Sequence, residues 1–144
     1  MAKRILVPLD QQEHAEAVAS LAADLARGSG GTIRLLHVRP IPEQRVSASG
    51  RVIAYADQEM ARLEAEGLAY LQTVETRLEG APVESAVRFG NAVQEILREA
   101  EAFGADLIAV TTTNRSWLKR AVLGSVADRV LRKAKVPVML FRES

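Results

Sequence analysis

Asp10 closes an unbroken apolar run, Ile5-Leu6-Val7-Pro8-Leu9. A carboxylate in that place can hold a ligand hydroxyl, a base nitrogen or a metal ion. It also stands three residues before Glu13, the spacing of a capping box, in which its oxygen accepts a backbone N–H of the next helical turn. Both roles are compatible. The second chemically pointed place is Gly124-Ser125, which opens a helix-period segment. Backbone N–H groups there can face an anion along the helix dipole, or Ser125 can cap the helix with Asp128 in the capping-box position. Just ahead, Arg115, Ser116, Lys119 and Arg120 can clamp phosphates or stand as solvated loop charges.

Other chemistry has less to work with. Gly28, Gly30 and Gly31 follow a helical pattern and precede a strand, the reverse of a phosphate loop, so they read as a helix stop. His14 and His37 are the only histidines and form no ligand-spaced cluster, so no metal site is expected. His14 reads as solvent-facing. His37, near the end of a strand, reads as a packing residue, with a place on a cleft wall as the alternative. The chain has no cysteine and no GxSxG elbow, which removes thiol chemistry and that serine-hydrolase arrangement. No catalytic residue is assigned.

These positions need a scaffold. Apolar runs of strand length recur at Ile5–Leu9, Thr32–Val38, Val83–Arg88, Leu107–Thr112 and Val138–Phe141, the third more polar than the rest. Continuous Val/Ile/Leu runs suit parallel strands covered on both faces. Between them, helical spacing links Ala15, Val18, Ala22 and Leu25; Met60, Leu63, Leu71, Val74 and Leu78; Val93, Ile96, Leu97 and Ala100; and Val126, Val130, Leu131 and Ala134. Strands alternating with helices imply right-handed crossovers and a doubly wound parallel sheet, with ligands beyond the carboxyl ends of the strands where strand order reverses. Interest therefore falls on Pro8–Gln12, Val38–Pro40, Phe89–Asn91 and Thr111–Ser125. Arg39–Ala54, with two prolines, two serines and Gly50, reads as a long mobile loop.

The 144 residues suit one domain, 1–144, with 48% apolar and 26% charged residues. No apolar run reaches the ~20 residues of a membrane helix, and the start lacks a signal-peptide pattern, so a soluble cytoplasmic protein is expected. The net charge of +1 conceals a segment, Arg115–Lys135, that carries +6 against −5 for the remainder. Such a segment draws phosphorylated ligands or nucleic acid, or is a solvated helix face. Without an aromatic stacking platform, nucleic acid is not expected.

ILVPLD, LLHV, FGNAVQEIL, ADLIAV and LGSVADRVLRKAKVPVMLF, in this order, resemble the universal stress protein family over nearly the whole chain. The resemblance implies a Rossmann-like fold of the adenine nucleotide alpha hydrolase type, strand order 3-2-1-4-5, helices on both faces, and a homodimer formed through Val138–Phe141. It also implies a site for an adenine nucleotide, ATP or AMP. Pro8, Asp10 and Val38 would border adenine and ribose; Asn114, Arg115, Ser116, Gly124, Ser125 and Val126 would border phosphates. The family's nucleotide-binding pattern is Gly, two residues, Gly, nine residues, then Gly and Ser or Thr. Here Thr111 and Asn114 replace the first two glycines. A β-branched Thr resists the left-handed conformation by about 1–2 kcal/mol where that conformation is required. Gln11, Gln12 and Trp117 add bulk.

The expectation is a stress-response regulatory dimer with a degraded nucleotide motif, acting through partners. Its alternative is a true ATP- or AMP-binding member using Gly124-Ser125, with slow ATP hydrolysis at most. Phosphotransfer at Asp10 is disfavoured: Arg88-Phe89 and Arg142 stand where a receiver domain needs an acid and a lysine, and Gln12 where a dehalogenase-type site needs a second aspartate.

Overall fold

The computed structural model describes residues 3–9, 15–42, 45–46, 50, 52–54, 56–78, 80–113 and 126–143. Seven strands and four helices lie among them: β1 (Arg4–Pro8), α1 (Ala15–Ser29), β2 (Thr32–Arg39), β3 (Arg45–Val46), β4 (Val52–Ala54), α2 (Ala56–Glu75), β5 (Val83–Phe89), α3 (Ala92–Phe103), β6 (Leu107–Thr113), α4 (Val126–Lys133) and β7 (Val138–Glu143).

Five strands form one parallel sheet in the order β5-β2-β1-β6-β7. Numbered among themselves, this is the expected 3-2-1-4-5. The period-2 alternation of side chains divides the core in two. Ile5, Val7, Ile33 and Leu35 join Val18, Ala19, Ala22, Ala23 and Ala26 of α1 and Leu71 and Val74 of α2 on one face. Leu6, Leu36, Ile108 and Val110 meet Val93, Ile96, Ala100 and Phe103 of α3 and Ala127 and Val130 of α4 on the other. Burying both faces explains the unbroken apolar strands. At the edge, β5 is only half-buried, consistent with its more polar sequence.

Two helix faces differ from the expected phase. The alanines of α1 allow close approach to the sheet, and Leu25 is left 44% exposed on the flank. In α4 the buried stripe runs through Ala127 and Val130, so Val126 and Leu131 turn outward at 41% and 42% exposure. The 39–54 segment is also more than a loop. It contains the antiparallel pair β3–β4, with Arg45 opposite Ala54 and Val46 opposite Val52.

The helix stop is as expected: Gly30 takes φ +68° immediately after α1. Gly31 serves close packing, because a Cβ there would overlap the Lys3 carbonyl oxygen. That carbonyl accepts from the Thr32 N–H at 2.9 Å and ties the starts of β1 and β2 together.

Candidate functional site

The sheet splits at the reversal of strand order. β1 pairs with β6 only at Ile5–Leu107 and Leu6–Ile108 among the described residues. Past that point β1 stays with β2 through Pro8–Leu36, while β6 stays with β7 through Thr113–Glu143. The reason is local. The Leu9 N–H donates to the Leu36 carbonyl of β2 at 2.8 Å, so strand alternation turns Pro8 toward β6, where proline has no N–H to give. The ladder ends and a crevice opens between the carboxyl ends of β1 and β6, the place a doubly wound sheet reserves for ligands.

His37 fixes the wall of that crevice. It is 6% exposed, and its Nδ1–H donates to the Leu9 carbonyl at 2.7 Å. Its ring meets Tyr70 edge-on at 5.7 Å and 63°. Gly67 makes room for this packing: a Cβ there would lie 3.4 Å from His37 Cδ2 and 2.9 Å from Val87 Cγ2. Leu9 is therefore held through both its N–H and its carbonyl, one residue before Asp10. The packing reading of His37 holds, and its polar edge positions the exit of β1.

Pro8 and Val38 both stand half-buried at carboxyl ends of adjacent strands, Val38 against the α3/α4 core. Beside them, the Gly90 N–H donates to the Arg39 carbonyl at 2.9 Å. Asn91 caps α3, its Oδ1 accepting from the Gln94 N–H at 3.1 Å. Thr111 lies across the crevice in β6, in register with Phe141. Its backbone is extended and paired, so the left-handed strain considered from the sequence does not arise. Val126 is the first residue of α4 and exposed. Asp10, Asn114, Arg115, Ser116, Gly124 and Ser125 lie outside the described residues, as do Gln11, Gln12, Glu13, His14, Trp117, Lys119 and Arg120. Among the described residues, no group of three or more His, Cys, Asp or Glu side chains could hold a metal ion.

A charged cluster that sequence spacing did not reveal packs α3 against β2 and β5. Glu99 takes Arg34 Nη1 on one oxygen and Arg88 Nε on the other, each at 2.5 Å. Arg34 also bonds Glu84 and stacks over Phe103 at 4.3 Å; Arg88 and Arg98 share Glu95. Burial pushes the Glu99 carboxyl up, but the hydrogen bonds and charges of Arg88 and Arg34 outweigh it and the net shift is downward. Its partners are thus internal, and the cluster clamps α3 rather than offering a free acid.

The chain matches the model of the universal stress protein family over residues 1–142. It is 31% identical to universal stress protein G of Escherichia coli O157:H7, over 99% of this chain and 100% of that one. The solved structure of MJ0577 from Methanocaldococcus jannaschii superposes with a TM-score of 0.78 at 27% identity, covering 100% of this chain and 98% of the other. A universal stress protein in complex with cAMP superposes at 0.72 with 18% identity, covering 99% and 98%.

Proposed function

The chain belongs to the universal stress protein family, and we propose that it serves there as a regulatory dimer of the stress response whose crevice keeps the shell of an adenine-nucleotide site without a full phosphate cradle. The supporting observation is the length of β6. Thr111, Thr112 and Thr113 continue the strand opposite Phe141, Arg142 and Glu143, as β-branched residues favour. A glycine turn at Thr111 would instead bring backbone N–H groups toward phosphates. The proposed activity is regulatory rather than catalytic, exercised in the cytoplasm; no helix among the described residues is long and apolar enough to cross a membrane.

The dimer is assigned to β7. The Ile108 N–H donates to the Pro137 carbonyl at 3.0 Å, so residues 137, 139 and 141 face β6, and Val138, Leu140 and Arg142 turn their backbone groups outward. Such an edge can pair with its copy across a two-fold axis. Leu140→Pro removes an outward N–H; Leu140→Ala trims more of the side chain but retains that N–H. Sedimentation is expected to give monomers for the first variant and dimers for the second and for the unaltered chain. A monomeric unaltered chain contradicts the assignment.

Calorimetric titration with ATP, ADP and AMP tests the crevice. The expected result is no binding in the micromolar range, and micromolar affinity for any of the three overturns the reading. The cAMP complex of a structural neighbour supports a narrower second reading, in which a single-phosphate nucleotide occupies the crevice. Binding of AMP or cAMP without ATP would select it.

A further inference from the structure

We propose that the groove between α3 and α4, at the amino-terminal end of the sheet, is a second ligand site that takes a small amphipathic anion: a carboxylate on a compact apolar body. The cavity has a volume of about 360 Å³, within the roughly 300–1,000 Å³ of small-molecule sites. At ~30 Å³ for each water it admits about a dozen water-sized groups. Its floor is apolar, made by Leu97 and Ala100 of α3, Ala105 and Ile108 at the entry to β6, and Val136 ahead of β7. The space follows from the sequence: two of these side chains are alanine, and Gly104, at φ +69°, turns the chain sharply off the end of α3. Because these residues stand at the beginnings of β6 and β7, the groove and the crevice occupy opposite ends of the sheet.

The charge at the mouth sets the class of ligand. Lys133 and Lys135 line it against one carboxylate, Glu101. Helix carboxyl ends usually claim nearby cations, because their last carbonyls lack donors. Much of that demand is already met at α3. The Ala105 N–H donates to the Ala100 carbonyl at 2.9 Å, and the Gly104 N–H to the Glu101 carbonyl at 3.1 Å. Arg4 Nη1 donates to the Phe103 carbonyl at 2.9 Å, placing a third positive group behind Gly104. Its Nη1 lies 3.4 Å from where a Gly104 Cβ would be. The two ammonium groups can therefore address an anionic head while the floor covers an apolar body. A cationic head would meet repulsion in the same position.

Amide spectra of the ¹⁵N-labelled chain, titrated with decanoate and with decylammonium below their micellar concentrations, test the site. Decanoate is expected to give saturable shifts centred on Ala100, Gly104, Ala105, Lys133 and Val136, and decylammonium none. Lys133→Gln with Lys135→Gln changes only exposed positions and should weaken decanoate by about tenfold or more. Ala100→Leu, which fills the floor, should abolish the shifts, whereas saturating ATP should leave them unchanged. Equal binding of the two amphiphiles, shifts centred elsewhere, competition by ATP, or unchanged decanoate affinity in either variant overturns the proposal.

Discussion

Replacing Glu99 by Gln tests the clamp between α3 and the sheet without changing side-chain size. Both carboxylate oxygens are engaged at 2.5 Å, one by Arg34 and one by Arg88. A glutamine retains one acceptor and turns an N–H₂ toward the other guanidinium. Removing one partner of a fully buried ion pair costs about 3–5 kcal/mol. The two arginine side chains are 25% and 32% exposed and keep Glu84 and Glu95 as partners, so solvent screening lowers the expected loss to about 2–3 kcal/mol. At this chain length that corresponds to a fall in Tm of roughly 6–12 °C. The pH dependence has a definite sign. Glu99 titrates below its ordinary value of 4.5, so its stabilisation is present above that value and disappears as pH falls through the lower folded-state value. Urea unfolding of both proteins at pH 7 should show the full gap, and the gap should narrow as the pH falls below the ordinary glutamate value and close as it passes the lower folded-state value. Equal stability at pH 7, or a gap that persists unchanged in acid, would refute this account of the cluster.

His37→Phe keeps the buried ring but removes the donor to the Leu9 carbonyl, and chemical denaturation should register a loss of about 1–3 kcal/mol. Gly67→Ala drives a methyl against Val87 between α2 and the sheet, for an expected loss of about 1–3 kcal/mol by the same measurement. Pro8→Ala restores an N–H facing β6. A hydrogen bond there, about 0.5–1.5 kcal/mol, is largely offset by the greater freedom of the unfolded chain. Hydrogen exchange should therefore find a protected amide at residue 8 with little change in overall stability, and a freely exchanging amide would contradict the origin assigned to the crevice.

The sheet was legible because both faces are buried: β1, β2, β6 and β7 read as apolar runs, and alternation with helices implies parallel pairing, whereas the order of the strands follows from the family resemblance and not from the alternation. Ends were less legible. β6 and β7 run beyond the predicted limits because Thr111–Thr113 and Phe141–Glu143 support one another, a pairing between segments far apart in the chain. Leu25, Val126 and Leu131 share helical spacing with buried neighbours yet face outward, because spacing and hydrophobicity do not settle which side of each helix meets the sheet. Arg34 meets Glu99 across 65 residues, a proximity that no local spacing encodes. Pro8 carried a usable signal, since a proline inside a strand run deletes a ladder donor; only the direction of the Leu9 N–H shows which neighbour loses it.

The proposal that the crevice holds no full phosphate cradle, and so does not retain a nucleotide, is tested most directly by the nucleotide content of chain purified without added ligand. Heat release followed by chromatography should yield far less than one adenine nucleotide for each chain. A stoichiometric yield of ATP or AMP would contradict the proposal and identify the crevice as a working nucleotide site.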